Sequence, residues 1–352
     1  MFKQIFAALA VASCGLTMTA HADTAVTENT TVGGKGFIDL TSLDAKAKDV
    51  KTAGSGFGID VTRFYLVANH TFDSTWAANL TTDFNYSSST GETQLFIKKA
   101  YLQAKVSDAF WLRAGSADLP WIPFVEDVYG YRYLEKELLD RTKFGTSADW
   151  GVHAGGKLAD GKVSYALSAV EGNGYKNPTR SKALDVEGRL SFVPVEGLTA
   201  AVGFYSGKLG KDIQGAGSTP TSPPAVQHTA TRYNLLLAYA IEQFRIGAEY
   251  FSADNWTAVT SATKDTADGY AVWAGYNFTS DVAGFVRYDE EKPNKDTVST
   301  LKDEYYNAGV SFKPRKGVDI SIAYKHEDVK NSAAAVQPAK SDEFGVWAQV
   351  AF

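Results

Sequence analysis

The sequence predicts an all-β protein, a closed transmembrane antiparallel barrel of about 16 strands. Three observations predict it. Residues alternate between apolar and polar with period two from one end of the chain to the other. The connections between alternating segments are short and long in turn. An export signal opens the chain, and no apolar stretch long enough for a transmembrane helix follows it. A chain that spans lipid without helices must close its sheet, because lipid offers backbone groups no other partners.

The export signal comes first. Met1-Phe2-Lys3 is a short basic region, Ile5 to Leu16 a mostly small and apolar one, and Ala20-His21-Ala22 an A-x-A site before Asp23. Cleavage between Ala22 and Asp23 divides the chain into a signal peptide, 1–22, and a barrel domain, 23–352. Val11-Ala12-Ser13-Cys14 is a rival, lipoprotein-like site, but it shortens the apolar run to about nine residues. After the favoured cut no cysteine remains, which removes disulfides and thiolate metal sites. Loss of Lys3 leaves 34 basic and 40 acidic residues, a balance that argues against nucleic acid as a partner. With 18 Tyr and 20 Phe the chain is too aromatic to be disordered.

The strands follow. Trp76, Ala78, Leu80, Thr82, Phe84 and Tyr86 alternate with Ala77, Asn79, Thr81, Asp83 and Asn85. One face suits oil and the other water. The same holds for Leu184 to Phe192, Phe244 to Tyr250, Tyr270 to Phe278 and Val318 to Tyr324. Aromatics close both ends of many segments, as expected where strands cross the two membrane interfaces. Short turns are expected at 73–75, 107–109, 159–161, 194–197, 241–243, 279–281 and 314–317. Longer loops are expected at 41–57, 88–93, 118–147, 172–182, 209–229, 254–267, 290–303 and 329–341. Phe344, Val346, Ala348, Val350 and Phe352 alternate to the last residue, and the terminal Phe352 resembles the signal read by the barrel-assembly machinery.

The loop at 118–147 stands apart. It is rich in aromatics and mixed charge, with Asp118, Trp121, Phe124, Glu126, Asp127, Tyr131, Arg132, Lys136 and Arg141 as its notable members. Long segments in compact domains are usually functional or disordered, and the aromatics oppose disorder. The loop follows the expected fifth strand, a position that resembles that of the loop which 16-stranded porins fold into the lumen to constrict it. Its aromatics could offer a stacking surface for sugars, or glue the loop to the wall, or cap the outer rim.

Two early segments, Thr62-Arg63-Phe64-Tyr65-Leu66 and Phe96-Ile97-Lys98-Lys99-Ala100-Tyr101-Leu102-Gln103, resemble strands of the phosphate-selective porin family. Trp111-Leu112-Arg113-Ala114-Gly115 followed by Leu119-Pro120 resembles the opening of that family's constriction loop. The resemblance covers about residues 58–175 and extends to the rest by architecture. It implies a 16-stranded, usually trimeric channel of a Gram-negative outer membrane, with basic residues at its constriction. This chain departs from that pattern: the loop has more acids (Asp118, Glu126, Asp127, Glu135, Glu137, Asp140) than bases (Arg132, Lys136, Arg141, Lys143).

Parity assigns charges to the lumen. The bases are Arg63, Lys99, Lys105, Arg113, Lys157, Lys162, Arg189, Arg232, Arg245, Arg287 and Lys325; the acids are Asp39, Asp83, Asp149, Asp185, Glu187, Glu249, Asp289 and Asp319. Positive charge is biased inward in an acidic protein, which favours anions. Lys98 falls on the lipid parity, where it would snorkel to the rim. Gly151 to Lys157 matches the start of a phosphate-binding loop, but Leu158 replaces the required hydroxyl and the segment alternates as a strand. His70, His153, His228 and His326 have no metal-type spacing, and no catalytic set or cofactor site is recognisable. The function expected is passive diffusion of small hydrophilic solutes, with anions preferred. A barrel enzyme of the lipase or protease kind, and an adhesive or structural barrel, are the alternatives. Outer-membrane lipid and lipopolysaccharide complete the expected partners.

Overall fold

The computed structural model describes residues 24–87, 92–212, 227–331 and 339–352. The expected cleavage site, Ala22 and Asp23, lies outside the described residues. Sixteen strands form the barrel. They are β1 (Thr30–Ala47), β2 (Gly56–Thr71), β3 (Trp76–Ser87), β4 (Glu92–Ser107), β5 (Phe110–Asp118), β6 (Ala148–Leu158), β7 (Val163–Val170) and β8 (Asp185–Phe192). The second half holds β9 (Leu198–Gly207), β10 (Ala230–Ala240), β11 (Phe244–Asp254), β12 (Thr266–Asn277), β13 (Val282–Lys292), β14 (Lys302–Arg315), β15 (Val318–Lys330) and β16 (Ala339–Ala351). Each pairs antiparallel with its neighbour in sequence, and β16 closes on β1 from Ala339↔Ala47 to Ala351↔Lys35. Closure leaves no edge strand to satisfy. A short strand, Thr24–Thr27, folds back on the start of β1.

The alternation sorts side chains as the sequence predicts. Leu66, Leu80, Leu102, Leu112, Val152, Leu190, Leu235 and Ile322 are exposed on the outer face. Asn79, Thr81, Gln103, Ser168, Asn234 and Asn307 are buried on the inner one. Aromatic pairs mark two levels of the outer face. Near the long loops, Tyr270 meets Tyr288 at 6.1 Å between ring centroids and Tyr306 meets Tyr324 at 6.0 Å. Near the short turns, Tyr239 meets Phe244 at 5.7 Å and Tyr276 meets Phe278 at 5.4 Å. Two such girdles, one at each end of an apolar band, are what a membrane's two interfaces require.

Among the register shifts of the barrel, two on β2 and β4 change what faces the lumen. Register slips between Phe37↔Arg63 and Ile38↔Val61, leaving Thr62 as an extra residue in β2. It slips again between Thr81↔Lys99 and Thr82↔Ile97, leaving Lys98 as an extra residue in β4. A bulge sets two consecutive residues against one on the partner and re-aims their side chains. Lys98 therefore turns into the lumen beside Lys99, and the snorkelling expectation is corrected. The first loop is also shorter than the expected 41–57, because β1 runs to Ala47 and β2 begins at Gly56.

The chain end is locked by its own geometry. Gly34 donates to the Phe352 carbonyl at 2.7 Å, and Phe352 donates back to the Gly34 carbonyl at 3.0 Å. A Cβ on Gly34 would fall 2.4 Å from the Phe352 ring, so the glycine makes room for the terminal aromatic. Gly151 to Lys157 lies within β6. A Cβ on Gly156 would fall 1.9 Å from the Ala109 carbonyl oxygen, which gives that glycine a packing role.

Candidate functional site

Between β5 and β6, residues 119–147 fold into the barrel. Helix α1 (Ile122–Tyr129) starts with Pro123 in its first turn, where a missing N–H costs nothing. It ends at Gly130, whose φ of 81° suits the left-handed cap and whose N–H reaches the Glu126 carbonyl at 2.8 Å. Ile122, Val125 and Tyr129 recur at helical spacing and are buried. A single turn, α2 (Leu138–Arg141), is capped by Glu137, whose carboxylate accepts from Leu139 N at 2.9 Å and Asp140 N at 2.6 Å.

The apolar face of this loop packs on β9 to β12. Trp121, Ile122, Val125, Tyr129, Leu138, Leu139 and Phe144 cluster with Ala201, Leu236, Phe251, Ala271 and Trp273 from the wall. Tyr129 meets Trp273 edge-on at 5.6 Å and Phe144 meets Phe251 at 4.8 Å. Farther on, Tyr133 and Leu134 join Phe37, Tyr65, Phe285 and Trp347 in a second cluster. Gly203 leaves space for Trp121, since a Cβ there would meet the indole at 2.4 Å. The aromatics thus glue the loop to the inner wall; the reading in which they cap the outer rim is set aside.

A polar network under the loop adds to that packing. Arg189 donates to the Pro120 carbonyl at 2.9 Å and lies 3.9 Å from the Phe124 ring centroid. Arg232, fully buried, bonds to the Phe144 carbonyl and to Glu187 at 3.1 Å. Arg245 donates to the Tyr129 carbonyl at 2.8 Å. Arg287 holds Asp289 with two bonds of 2.7 Å and the Lys136 carbonyl at 2.6 Å. From the loop, Arg141 reaches Asp289, Asp303 and Glu327 at 2.8–2.9 Å. Lys325 pairs with Glu135 at 3.3 Å and Glu343 at 3.5 Å. Burial pushes the Glu135 carboxyl up, but Lys325, Arg287 and Arg141 outweigh it and bring it down to about 2.

The opposite wall, β1 to β4, is left to water. A cavity of about 670 Å³ on the side of the short turns is lined by Lys35, Phe37, Tyr65, Lys98, Lys99, Asp118, Glu126, Asp127 and Arg132. A narrower cavity of about 190 Å³ on the side of the long loops is lined by Arg63, Tyr65, Lys98, Arg132, Lys136, Asp140, Tyr175 and Lys176. Tyr65, Lys98 and Arg132 line both, so they mark where the two meet. Arg132 is held by Glu126 and, at 3.5 Å, by Asp140. Arg63 pairs with Asp83 at 3.2 Å and Lys99 with Asp118 at 2.8 Å. Lys98 lies 4.8 Å from the Tyr65 ring centroid and 5.9 Å from that of Tyr175. Glu126 and Asp118 act electrostatically on Lys98, and Asp127 and Glu126 on Lys35.

The residues expected from the sequence therefore divide. Arg189, Arg232, Arg245, Arg287 and Lys325 point inward but are engaged in holding the loop. Their expected place on an open lumen wall is corrected by the loop that covers them. Arg63 and Lys99 face the cavities, with Glu126, Asp127, Arg132 and Lys136 of the loop and with Asp118, which was expected in the loop but closes β5. Arg113 stacks on Trp111 at 4.4 Å and Tyr101 at 4.7 Å while bonding Gln103. Lys105 stands at the short-turn end, paired with Asp108 at 2.7 Å, and Lys157 is half-buried at the same end. Lys162 lies in the exposed turn after β6 and not in the lumen wall, a second correction. Sequence reasoning missed Lys35 and Lys98 at the cavities, along with Lys313, Arg315 and Lys316 at the short-turn mouth. For Lys98 the signal was the consecutive pair Lys98-Lys99, which strict alternation cannot accommodate. His153 and Ser168 bond at 2.8 Å, but both are buried and the other ring nitrogen faces the Gly115 carbonyl. That pair offers no accessible nucleophile.

A family model described as phosphate-selective porin O and P matches residues 31–352. Among solved structures, the chain is similar to the outer membrane channel DcaP of Acinetobacter baumannii, with a TM-score of 0.63 and 12% identity over 92% of this chain and 98% of that one. An anion-selective porin from Comamonas acidovorans gives 0.62 at 9% identity, over 91% and 99%. OmpF of Salmonella typhi gives 0.61 at 12% identity, over 93% and 99%. No curated protein matches the sequence.

Proposed function

Because the chain belongs to the phosphate-selective porin O and P family and is an outer-membrane porin, we propose that it passes small hydrophilic anions by diffusion along β1 to β4, without catalysis. The observation that carries this reading is the charge of the water-lined side. The two cavities are lined by ten bases (Lys35, Arg63, Lys98, Lys99, Arg132, Lys136, Lys176, Lys313, Arg315, Lys316) and six acids (Asp118, Glu126, Asp127, Asp140, Asp281, Asp319). Basic rings in a narrow aqueous passage favour anions, and low-dielectric walls focus their field. At the narrow point Lys98 lines both cavities beside the faces of Tyr65 and Tyr175, so its charge faces a passing solute.

A homotrimer in the outer membrane fits the outer surface. Phe57, Ile59 and Leu95, high on β2 and β4, are 75%, 73% and 71% exposed, an apolar face that a neighbouring copy would cover. A Vibrio cholerae outer membrane protein of similar fold is described in a trimer form. The C-terminal strand ending in Phe352 suits recognition by the barrel-assembly machinery, and the outer girdles suit lipid and lipopolysaccharide.

The test is single-channel recording of the refolded protein in planar bilayers. Stable steps, reduced by added phosphate and unaffected by small sugars, are the expected result. Steps blocked by sugars alone would overturn the anion reading. A folded, heat-modifiable barrel without conductance would overturn the channel and favour an enzyme or adhesin.

A further inference from the structure

Under the folded-in loop, two carboxyl groups meet in a place closed to water. Glu137, the cap of α2, is 1% exposed, and Glu249 on β11 is 2% exposed. Both Glu137 oxygens accept backbone N–H groups of α2. One Glu249 oxygen accepts the Trp121 indole N–H at 2.7 Å. The other is buried with no donor among the described residues. The Glu137 carboxyl faces it: Leu138 and Leu139, next to Glu137, pack in one cluster with Phe251 of β11 and with Ala271, the register partner of Glu249. Two buried carboxylates in contact cannot both ionise, and a bare buried oxygen beside a second carboxylate is costly. A proton between them answers both problems.

We propose that Glu137 and Glu249 share one proton, and that this bond positions the constriction loop on the barrel wall. The inference rests on the channel reading for its electrical consequence only. Trp121 at the loop's start and Glu137 near its middle converge on the same wall carboxyl, so one residue of β11 meets the residues that begin α1 and α2. The charged groups around the pair are Asp140 from the loop, with Arg287 and Asp289 from β13. Burial first, then the facing Glu249, push the Glu137 carboxyl well above its ordinary range. The docked loop therefore binds more protons than an undocked one. Docking is strongest below the ordinary carboxylate value of about 4.3 and weakens as pH rises toward the raised value; above that the penalty is constant.

The experiment uses the full barrel and two variants, Glu249→Gln and Glu137→Gln. In Glu249→Gln the amide supplies the bridging hydrogen without a titratable proton; Glu137→Gln does the same but gives up one of the two backbone N–H bonds at the start of α2. Open-channel current of the wild type should change as pH rises above the ordinary carboxylate value of about 4.3, and that titration should be lost in Glu249→Gln. Infrared difference spectra should show a protonated-carboxyl stretch in the wild type at neutral pH that both variants lack. A pH-independent wild-type current, or a titration that survives in Glu249→Gln, would overturn the positioning role. An infrared band unchanged by both substitutions would overturn the shared proton. A folded barrel without current at any pH would refute the channel reading instead, and the infrared result would still decide the proton.

Discussion

The two sides of the lumen carry the same kinds of inward residue and use them differently. On β8 to β13, Arg189, Arg232, Arg245 and Arg287 disappear beneath the loop and bond its carbonyls and its carboxylate neighbours. On β1 to β4, Lys35, Arg63, Lys98 and Lys99 meet water. The loop makes the difference. Its apolar face needs a dry partner, and its free carbonyls need donors that planar guanidinium groups supply well. Arginine therefore predominates on the covered side, while three of the four bases on the open side are lysines. Inward parity shows which side chains leave the lipid; it does not show which of them stay wet.

Breaking the covered side should cost most. Trp121→Ala removes a fully buried indole and the donor to Glu249, and should destabilise the docked loop by about 3–5 kcal/mol. Denaturant unfolding in lipid and a larger, noisier conductance would report it. Arg232→Met should cost about 3 kcal/mol, because buried Glu187 loses its ion-pair partner and keeps only the Trp121 N–H. Its ion selectivity should stay that of the wild type. Lys98→Glu on the open side should do the reverse, shifting the reversal potential toward cations with unfolding changed by less than about 1 kcal/mol. Equal shifts in selectivity from Arg232→Met and Lys98→Glu would erase the distinction between the two sides. The smallest effect belongs to Lys162→Gln in the exposed turn, within about 0.5 kcal/mol and without change in selectivity.

The barrel was legible because period-two alternation, aromatic ends and turn residues each report on local physics that lipid enforces. The alternation of short and long connections placed the loops expected at 118–147, 172–182, 254–267 and 290–303; those expected at 88–93, 209–229 and 329–341 lie largely outside the described residues, and the first was set too long, because Ser42 to Ala47 continue β1. The inward loop was legible as a segment but not in its structure. Pro123 and Gly130 bracket α1 with the residues that favour a helix start and stop, yet eight residues are too few for periodicity to show a helix unaided. What the sequence could not give is contact across the lumen. Glu137 and Glu249 are 112 positions apart, Arg232 and Phe144 are 88 apart, and no local pattern pairs them. The bulge at Lys98 has a similar cause. One inserted residue reverses every later side-chain assignment unless a compensating signal is read.

The central claim is that the uncovered, base-rich wall sets what passes. The most direct measurement is the reversal potential of the wild-type channel in a bilayer under a KCl gradient. The account expects a potential of the sign that chloride permeation gives. A potential of the opposite sign would contradict it, because cations would then be crossing a wall on which Lys35, Lys98 and their neighbours should exclude them.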